Sequence, residues 1–161
     1  MTPIAIALGS NVGDREQHLT DAVASLSAFV SNVHLSRFFE TDPVDMAGQQ
    51  RRVINAAATG ETTLRARDLL HLMLAIEDHL GRTRPHPGAA RTVDLDLIFY
   101  GNSIIDERPT LIVPHPRFRE RRFVLEPLAD VAADWTDPVT GFTIAQLLEN
   151  LCDVERGYRS E

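Results

Sequence analysis

Two stretches of this chain repeat their apolar residues at helical spacing, and each stands between runs that alternate like strands. That order constrains the fold more than any other feature. "PIAIALGS" (3–10) puts Ile4, Ile6 and Leu8 on one side and Ala5 and Ala7 on the other. "GDREQHLTDAVASLSAFV" (13–30) follows, with Leu19, Ala22, Val23, Leu26 and Phe29 or Val30 on one helical face and Asp14 with Gln17 as a capping pair. "VHLSRFFET" (33–41) and "RVINAAATGET" (52–62) read as the second and third strands, the latter rich in small residues where something can pack closely. From Thr63 as N-cap, "LRARDLLHLMLAIEDHLG" (64–81) lines up Leu69, Leu70, Met73, Leu74, Ile76 and Leu80, and Gly81 stands at the C′ position. A strand over 92–100 closes the pattern. The order β-α-β-β-α-β predicts an α+β, ferredoxin-like fold, an antiparallel sheet with both helices on one face. A C-terminal extension adds a short extended piece at 111–113, a basic turn at 115–122 and a helix at 143–151.

The 161 residues make one domain, 1–161, long enough to bury a real core. A formal charge of −7 argues against non-specific binding to nucleic acid or an anionic membrane. Arginine is nevertheless concentrated in two places, Arg82, Arg84 and Arg91, then Arg117, Arg119, Arg121 and Arg122. Such clusters in an acidic chain prepare a site for a small, highly charged anion. The single Cys152 excludes an internal disulfide, and "MTPIAIALGS" has neither a basic n-region nor an apolar run long enough to span a bilayer. A cytoplasmic protein is expected.

The last core strand, "TVDLDLIFY" (92–100), carries two aspartates in a segment otherwise suited to burial. Side chains on a strand alternate, so Asp94 and Asp96 share one face about 7 Å apart along the chain, while Val93, Leu95 and Leu97 take the other. Like charges at that spacing repel unless a cation lies between them. Mg²⁺ typically binds through one or two carboxylates plus substrate phosphates. For an isolated D-x-D, a short and common pattern, an edge strand with a wet outer face is the better explanation. Arg82, Arg84 and Arg91 nearby favour the metal, because guanidinium forks on phosphate oxygens beside a carboxylate-held ion are what phosphoryl transfer needs.

"RTVDLDLIFYG" (91–101) resembles the fingerprint of the 6-hydroxymethyl-7,8-dihydropterin pyrophosphokinase family (2-amino-4-hydroxy-6-hydroxymethyldihydropteridine diphosphokinase). "ALGSNVGD" (7–14), "ETDPV" (40–44), "INAA" (54–57), "IEDHLGRTR" (76–84) and "VPHPRFRERRFVLEPL" (113–128) agree in order and spacing. The resemblance covers about residues 4–130. It implies an ATP-dependent enzyme of folate biosynthesis that moves pyrophosphate from ATP to the pterin's hydroxymethyl group and releases AMP. It further implies two Mg²⁺ ions on Asp94 and Asp96, and catalytic roles for Arg82, Arg84 and Arg91 beside those aspartates. ATP contacts are implied for Glu77, Arg82, Arg84, Arg91, His115 and Arg121. The pterin would meet Thr41, Asp42, Pro43, Val44, Asn55 and Phe123. The partners are then two small molecules, with a monomer or weak homodimer as the assembly. Val53 stands where the family usually has an aromatic against the ring, and Gly88 where it commonly has Trp, so the pterin half is thinned. Competing expectations are a nucleotidyl transferase or cyclase, an ordinary kinase, and a catalytically degenerate paralogue that binds nucleotide or pterin as a sensor or partner subunit.

Overall fold

The computed structural model describes residues 1–41, 52–81 and 92–155. Strand β1 (Thr2–Ser10) leads into helix α1 (Arg15–Leu26), followed by β2 (Ser31–Leu35), β3 (Phe39–Thr41) and β4 (Val53–Thr62). Helix α2 (Ala66–Leu80) and strand β5 (Asp94–Tyr100) complete the expected core. Beyond it come β6 (Ile105–Glu107), β7 (Leu111–Val113), a 3₁₀ turn at Phe118–Glu120, α3 (Arg122–Ala132) and α4 (Ile144–Glu155). The sheet runs β2-β4-β1-β5 with β3 also on β4, and every pairing is antiparallel. That is the ferredoxin-like order read from the sequence.

The two sheet faces are covered differently. Ile4, Ile6, Leu8, Val93, Leu95 and Leu97 pack with Leu19, Leu26, Leu69 and Met73, so α1 and α2 share one face as expected. Burying each such side chain contributes about 1.5–3 kcal/mol. The opposite face is not left open. Ala5, Ala7 and Ala57 lie in a second cluster with Val124, Leu125 and Leu128 of α3 and Ile144 and Leu147 of α4. Small side chains on β1 and β4 let α3 approach the sheet closely, which answers the small-residue run noted in 52–62. On β5 the register slips between Ala5 and Ile6, whose partners are Phe99 and Leu97. Ile98 and Phe99 therefore both join the second cluster, and Tyr100 returns to the first.

Several local expectations change. Asp14 caps α1 through a 3.2 Å bond from the Gln17 N–H, but the Gln17 amide reaches forward to Asp21, so the cap is one-sided. The strand expected over 33–41 breaks at Ser36, whose Oγ takes the Ala57 N–H at 2.9 Å. Helix α2 starts at Ala66 with Arg65 at the N-cap and no side-chain cap, so Thr63 does not play that part. Gly81 ends α2 with φ −89°, not the left-handed value of a C′ glycine. Leu74 faces outward. Helix α4 begins on a full capping box, with Thr143 Oγ1 accepting from Gln146 N–H and Gln146 Oε1 accepting from Thr143 N–H. No helix among the described residues is long and apolar enough to cross a membrane.

Candidate active site

Antiparallel register places four residues in one row across the sheet. Phe39 on β3 pairs Asn55 on β4, Asn55 pairs Gly9 on β1, and Gly9 pairs Asp94 on β5. The neighbouring row holds Ala57, Ala7 and Asp96. Adjacent strands lie about 4.8 Å apart, so the backbones at Asn55 and Asp94 are about 10 Å from each other. A cleft of about 490 Å³ opens above this floor, lined by residues including Gly9, Thr41, Val53, Asn55, Glu77, Asp94, Asp96, Arg121 and Phe123. That volume suits a small organic ligand. Asp94 and Asp96 share the cleft face, with Val93, Leu95 and Leu97 buried behind them, as strand alternation requires.

Asn55 is 5% exposed, and its Nδ2 donates to Thr41 Oγ1 at 2.9 Å. The amide is thereby oriented, and its oxygen lies beside Gly9. A Cβ on Gly9 would sit 3.3 Å from Asn55 Oδ1 and 3.7 Å from Val53 Cγ1. Glycine at that point keeps the floor open between Asn55 and the aspartates. From the sequence alone Gly9 looked only like a strand end, and no local signal marked its second role. At the rim, Glu40 joins Arg15 at 3.0 Å and Arg52 at 3.5 Å, tying β3 and the start of β4 to α1.

The wall opposite the floor is the first turn of α3. Arg121 is its N-cap without a side-chain cap, and Phe123 and Val124 follow in the lining. The Arg121 guanidinium carbon lies 5.7 Å from the Phe123 ring centroid. A helix N-terminus favours anions, and here it stands beside an arginine. His115 arrives from β7; its N–H bonds Ile98 O at 3.1 Å, and its Nδ1 accepts the Arg117 N–H at 3.1 Å. The imidazole pKa is lowered: burial is the largest cause, Asp96 opposes it, and Arg121 and Arg117 add to it. A neutral ring that accepts at Nδ1 carries its proton on Nε2, where it is a donor.

Glu77 reaches the cleft from α2, and its Oε2 accepts the Leu95 N–H at 2.6 Å. It steadies the outer edge of β5 between the two aspartates. Asp42, Pro43, Val44, Arg82, Arg84 and Arg91 lie outside the described residues. Among the described residues no group of three or more His, Cys, Asp or Glu gathers as a metal cage. Two carboxylates on one face of a cleft, with room for phosphate oxygens and water to complete a hard octahedral shell, fit Mg²⁺ shared with a substrate.

The site thus has an amide and an aromatic at one end and a carboxylate pair with basic donors at the other. A family model for 7,8-dihydro-6-hydroxymethylpterin-pyrophosphokinase (HPPK) matches residues 5–133. The chain belongs to the HPPK family. Its membership makes it an ATP-dependent pyrophosphokinase of folate biosynthesis. It is 47% identical over 128 residues to the 2-amino-4-hydroxy-6-hydroxymethyldihydropteridine pyrophosphokinase of Bacillus subtilis, covering 78% of this chain and 75% of that one. The pyrophosphokinase of the same name from Methylorubrum extorquens is 38% identical over 154 residues, 94% of each chain. The folic acid synthesis protein fol1 of Pneumocystis carinii is 38% identical over 151 residues, covering 93% of this chain but only 20% of that protein. The HPPK fold is also that of Plasmodium falciparum HPPK-DHPS, with a TM-score of 0.80 at 13% identity over 98% of this chain and 46% of that one.

Proposed function

We propose that the chain transfers the β,γ-diphosphoryl group of ATP to the hydroxyl of 6-hydroxymethyl-7,8-dihydropterin. The bond from the β-phosphorus to the α,β-bridging oxygen breaks, AMP leaves, and the substrate hydroxyl loses its proton to solvent. The observation that carries this reading is the row Asn55–Gly9–Asp94, which sets a heterocycle reader and a phosphate end one bare strand apart.

At the ring end, Asn55 presents Oδ1 to the pterin's N–H groups while Thr41 holds its Nδ2. Phe123 stacks on one ring face. Asp42, Pro43 and Val44 match the family's pterin-side motif and are assigned to the pterin on that match alone. At the phosphate end, Asp94 and Asp96 hold two Mg²⁺ ions, which when bound offset triphosphate charge and favour the ionised form of the attacking hydroxyl. Arg121 and His115 Nε2–H donate to phosphate oxygens, where hydrogen bonds to an anion are the strong kind. Glu77, which lines the cleft, faces the nucleotide in this reading. Arg82, Arg84 and Arg91 match family positions on the nucleotide side and are assigned to ATP on that match alone. The chain works as one domain over 1–161, in the cytoplasm, as a monomer or weak homodimer in this reading.

Incubation with ATP, Mg²⁺ and hydroxymethyl-dihydropterin is expected to yield AMP and the pterin diphosphate. Release of ADP would mark an ordinary kinase, and release of pyrophosphate a nucleotidyl transferase or cyclase; either result sinks the proposal. No turnover with tight ligand binding would point to the degenerate paralogue.

Val53 leaves the ring face opposite Phe123 aliphatic. Val53→Tyr is expected to tighten pterin binding by about 0.5–1.5 kcal/mol, the worth of an aromatic pair. Calorimetric titration with pterin reads this directly, and an unchanged Kd removes Val53 from the account of affinity. Gly9→Ala acts in the other direction. Its Cβ crowds Asn55 Oδ1, so KM for pterin rises by roughly 2- to 10-fold, about one neutral hydrogen bond, with kcat little changed.

A further inference from the structure

Asp137 is wholly buried, yet neither the cleft nor the family match at 5–133 includes it. Its carboxylate accepts Arg119 Nε at 2.5 Å and Arg119 Nη2 at 2.9 Å, a two-pronged fork. Val139 N–H at 3.0 Å and Thr140 Oγ1 at 2.7 Å occupy its remaining lone pairs. The turn that holds it is closed by Asp137 N–H to Phe142 O and Gly141 N–H to Asp137 O, each 2.8 Å, with Gly141 at φ +80°.

Arg119 lies midway along the stretch that supplies His115 and Arg121. Its guanidinium covers the Phe118 ring at 4.6 Å, and Phe118 meets Phe99 edge-on at 5.1 Å. Phe99 stands three residues beyond Asp96 on β5. The basic turn is thus tied to the aspartate strand at two points, His115 N–H to Ile98 O and Phe118 on Phe99, and to the C-terminal turn at a third. A forked pair fixes orientation as well as distance.

We propose that Arg119 and Asp137 are positioning residues for the nucleotide's phosphates: their fork locks the 115–121 turn so that His115 and Arg121 meet the anion, and the C-terminal extension thereby sets ATP affinity. This rests on the pyrophosphokinase reading for the identity of the ligand, but the locking itself does not.

Asp137→Asn separates positioning from charge, because the two make opposite demands. Removing a negative charge near the phosphate end tightens anion binding if only long-range electrostatics matter. If the fork positions the turn, binding loosens. Arg119→Lys is the companion variant; it keeps the charge, loses the fork and retains a Lys–Asp contact to support folding. Both full-length variants would be titrated with an α,β-methylene ATP analogue plus Mg²⁺, and with pterin, well below their melting temperatures. Amide hydrogen exchange of residues 117–121 would be followed without ligand.

The expected result is about tenfold weaker nucleotide binding, pterin affinity within twofold of the parent, and exchange over 117–121 faster by about tenfold while β1 and β4 stay protected. Unchanged or tighter nucleotide binding with unchanged exchange, whatever the melting temperature, overturns the proposal. So does an equal loss for both ligands, which marks general loosening. If the parent protein itself neither binds the analogue nor releases AMP, the pyrophosphokinase reading fails, and exchange over 117–121 alone decides the locking. Should Asp137→Asn not fold, Arg119→Lys decides both arms.

Discussion

Asp94→Ala and Asp96→Ala are each expected to lower kcat by on the order of 10²–10³-fold, the cost of removing one preorganised electrostatic partner of a transition state. The loss should fall on turnover and not on folding. Both side chains stand on the cleft face, whereas the apolar set that holds β5 to the sheet, Val93, Leu95 and Leu97, lies behind them. Surface ion pairs at such positions contribute at most about 1 kcal/mol, so the melting temperature should move by only a few degrees. Affinity for metal-free ATP should hold or rise, because a repelling charge has gone. The Mg²⁺ concentration for half-maximal rate should climb. Near-parental kcat in either variant would remove the aspartates from the chemistry.

Asp137→Ala should cost stability instead, by about 3 kcal/mol, near the low end for breaking a buried ion pair since Arg119 still reaches water. At roughly 2–4 °C per kcal/mol for a chain of this size, the melting temperature falls by about 10 °C. The effect carries a pH signature. Burial by itself would raise the Asp137 pKa, but the Arg119 and Thr140 hydrogen bonds, the Val139 N–H and the Arg119 charge outweigh it and hold the pKa below its ordinary 3.8. A carboxyl whose folded pKa is depressed binds its proton more readily unfolded, so it contributes its full stability above the ordinary value. That contribution fades as pH drops from 3.8 through the lower folded pKa. Urea unfolding of parent and variant should differ most at neutral pH and converge in acid. A gap independent of pH would mean the carboxylate's charge does not hold the turn.

Short-range patterns carried most of the fold. Alternation over 92–100 was enough to put Asp94 and Asp96 on one face and the leucines on the other. The interleaving of two helical periods with strands was enough for the sheet order. Helix α3 escaped because Pro127 lies in its interior, where proline normally argues against a helix. Its partners on the sheet, Ala5, Ala7 and Ala57, are small, so β1 and β4 gave no loud signal that their second face was also covered. Ser36 broke a strand by hydrogen bonding that no period reveals.

The site was legible in a different way. Its residue types came from matched motifs; Thr41, Asn55, Glu77, Asp94, Asp96, Arg121 and Phe123 line one cleft, while His115 is outside that lining and interacts electrostatically with Asp96. What stayed hidden was register. Gly9 matters because it is opposite Asn55 on one side and Asp94 on the other, a fact about three strands at once. Arg119 and Asp137 were similarly invisible as a pair. Eighteen positions separate them, and each alone is an ordinary charged residue.

Because Asn55 and Asp94 are spaced by peptide hydrogen bonds across one strand, the distance between their backbones is a ruler that side-chain motion leaves unchanged. An alcohol with one more methylene would carry its oxygen past the reacting phosphorus, and a misplacement of about 1 Å can cost 10²-fold in rate. Choice among acceptors is then made by reach more than by grip, so a poor substrate could still occupy the cleft as a good inhibitor.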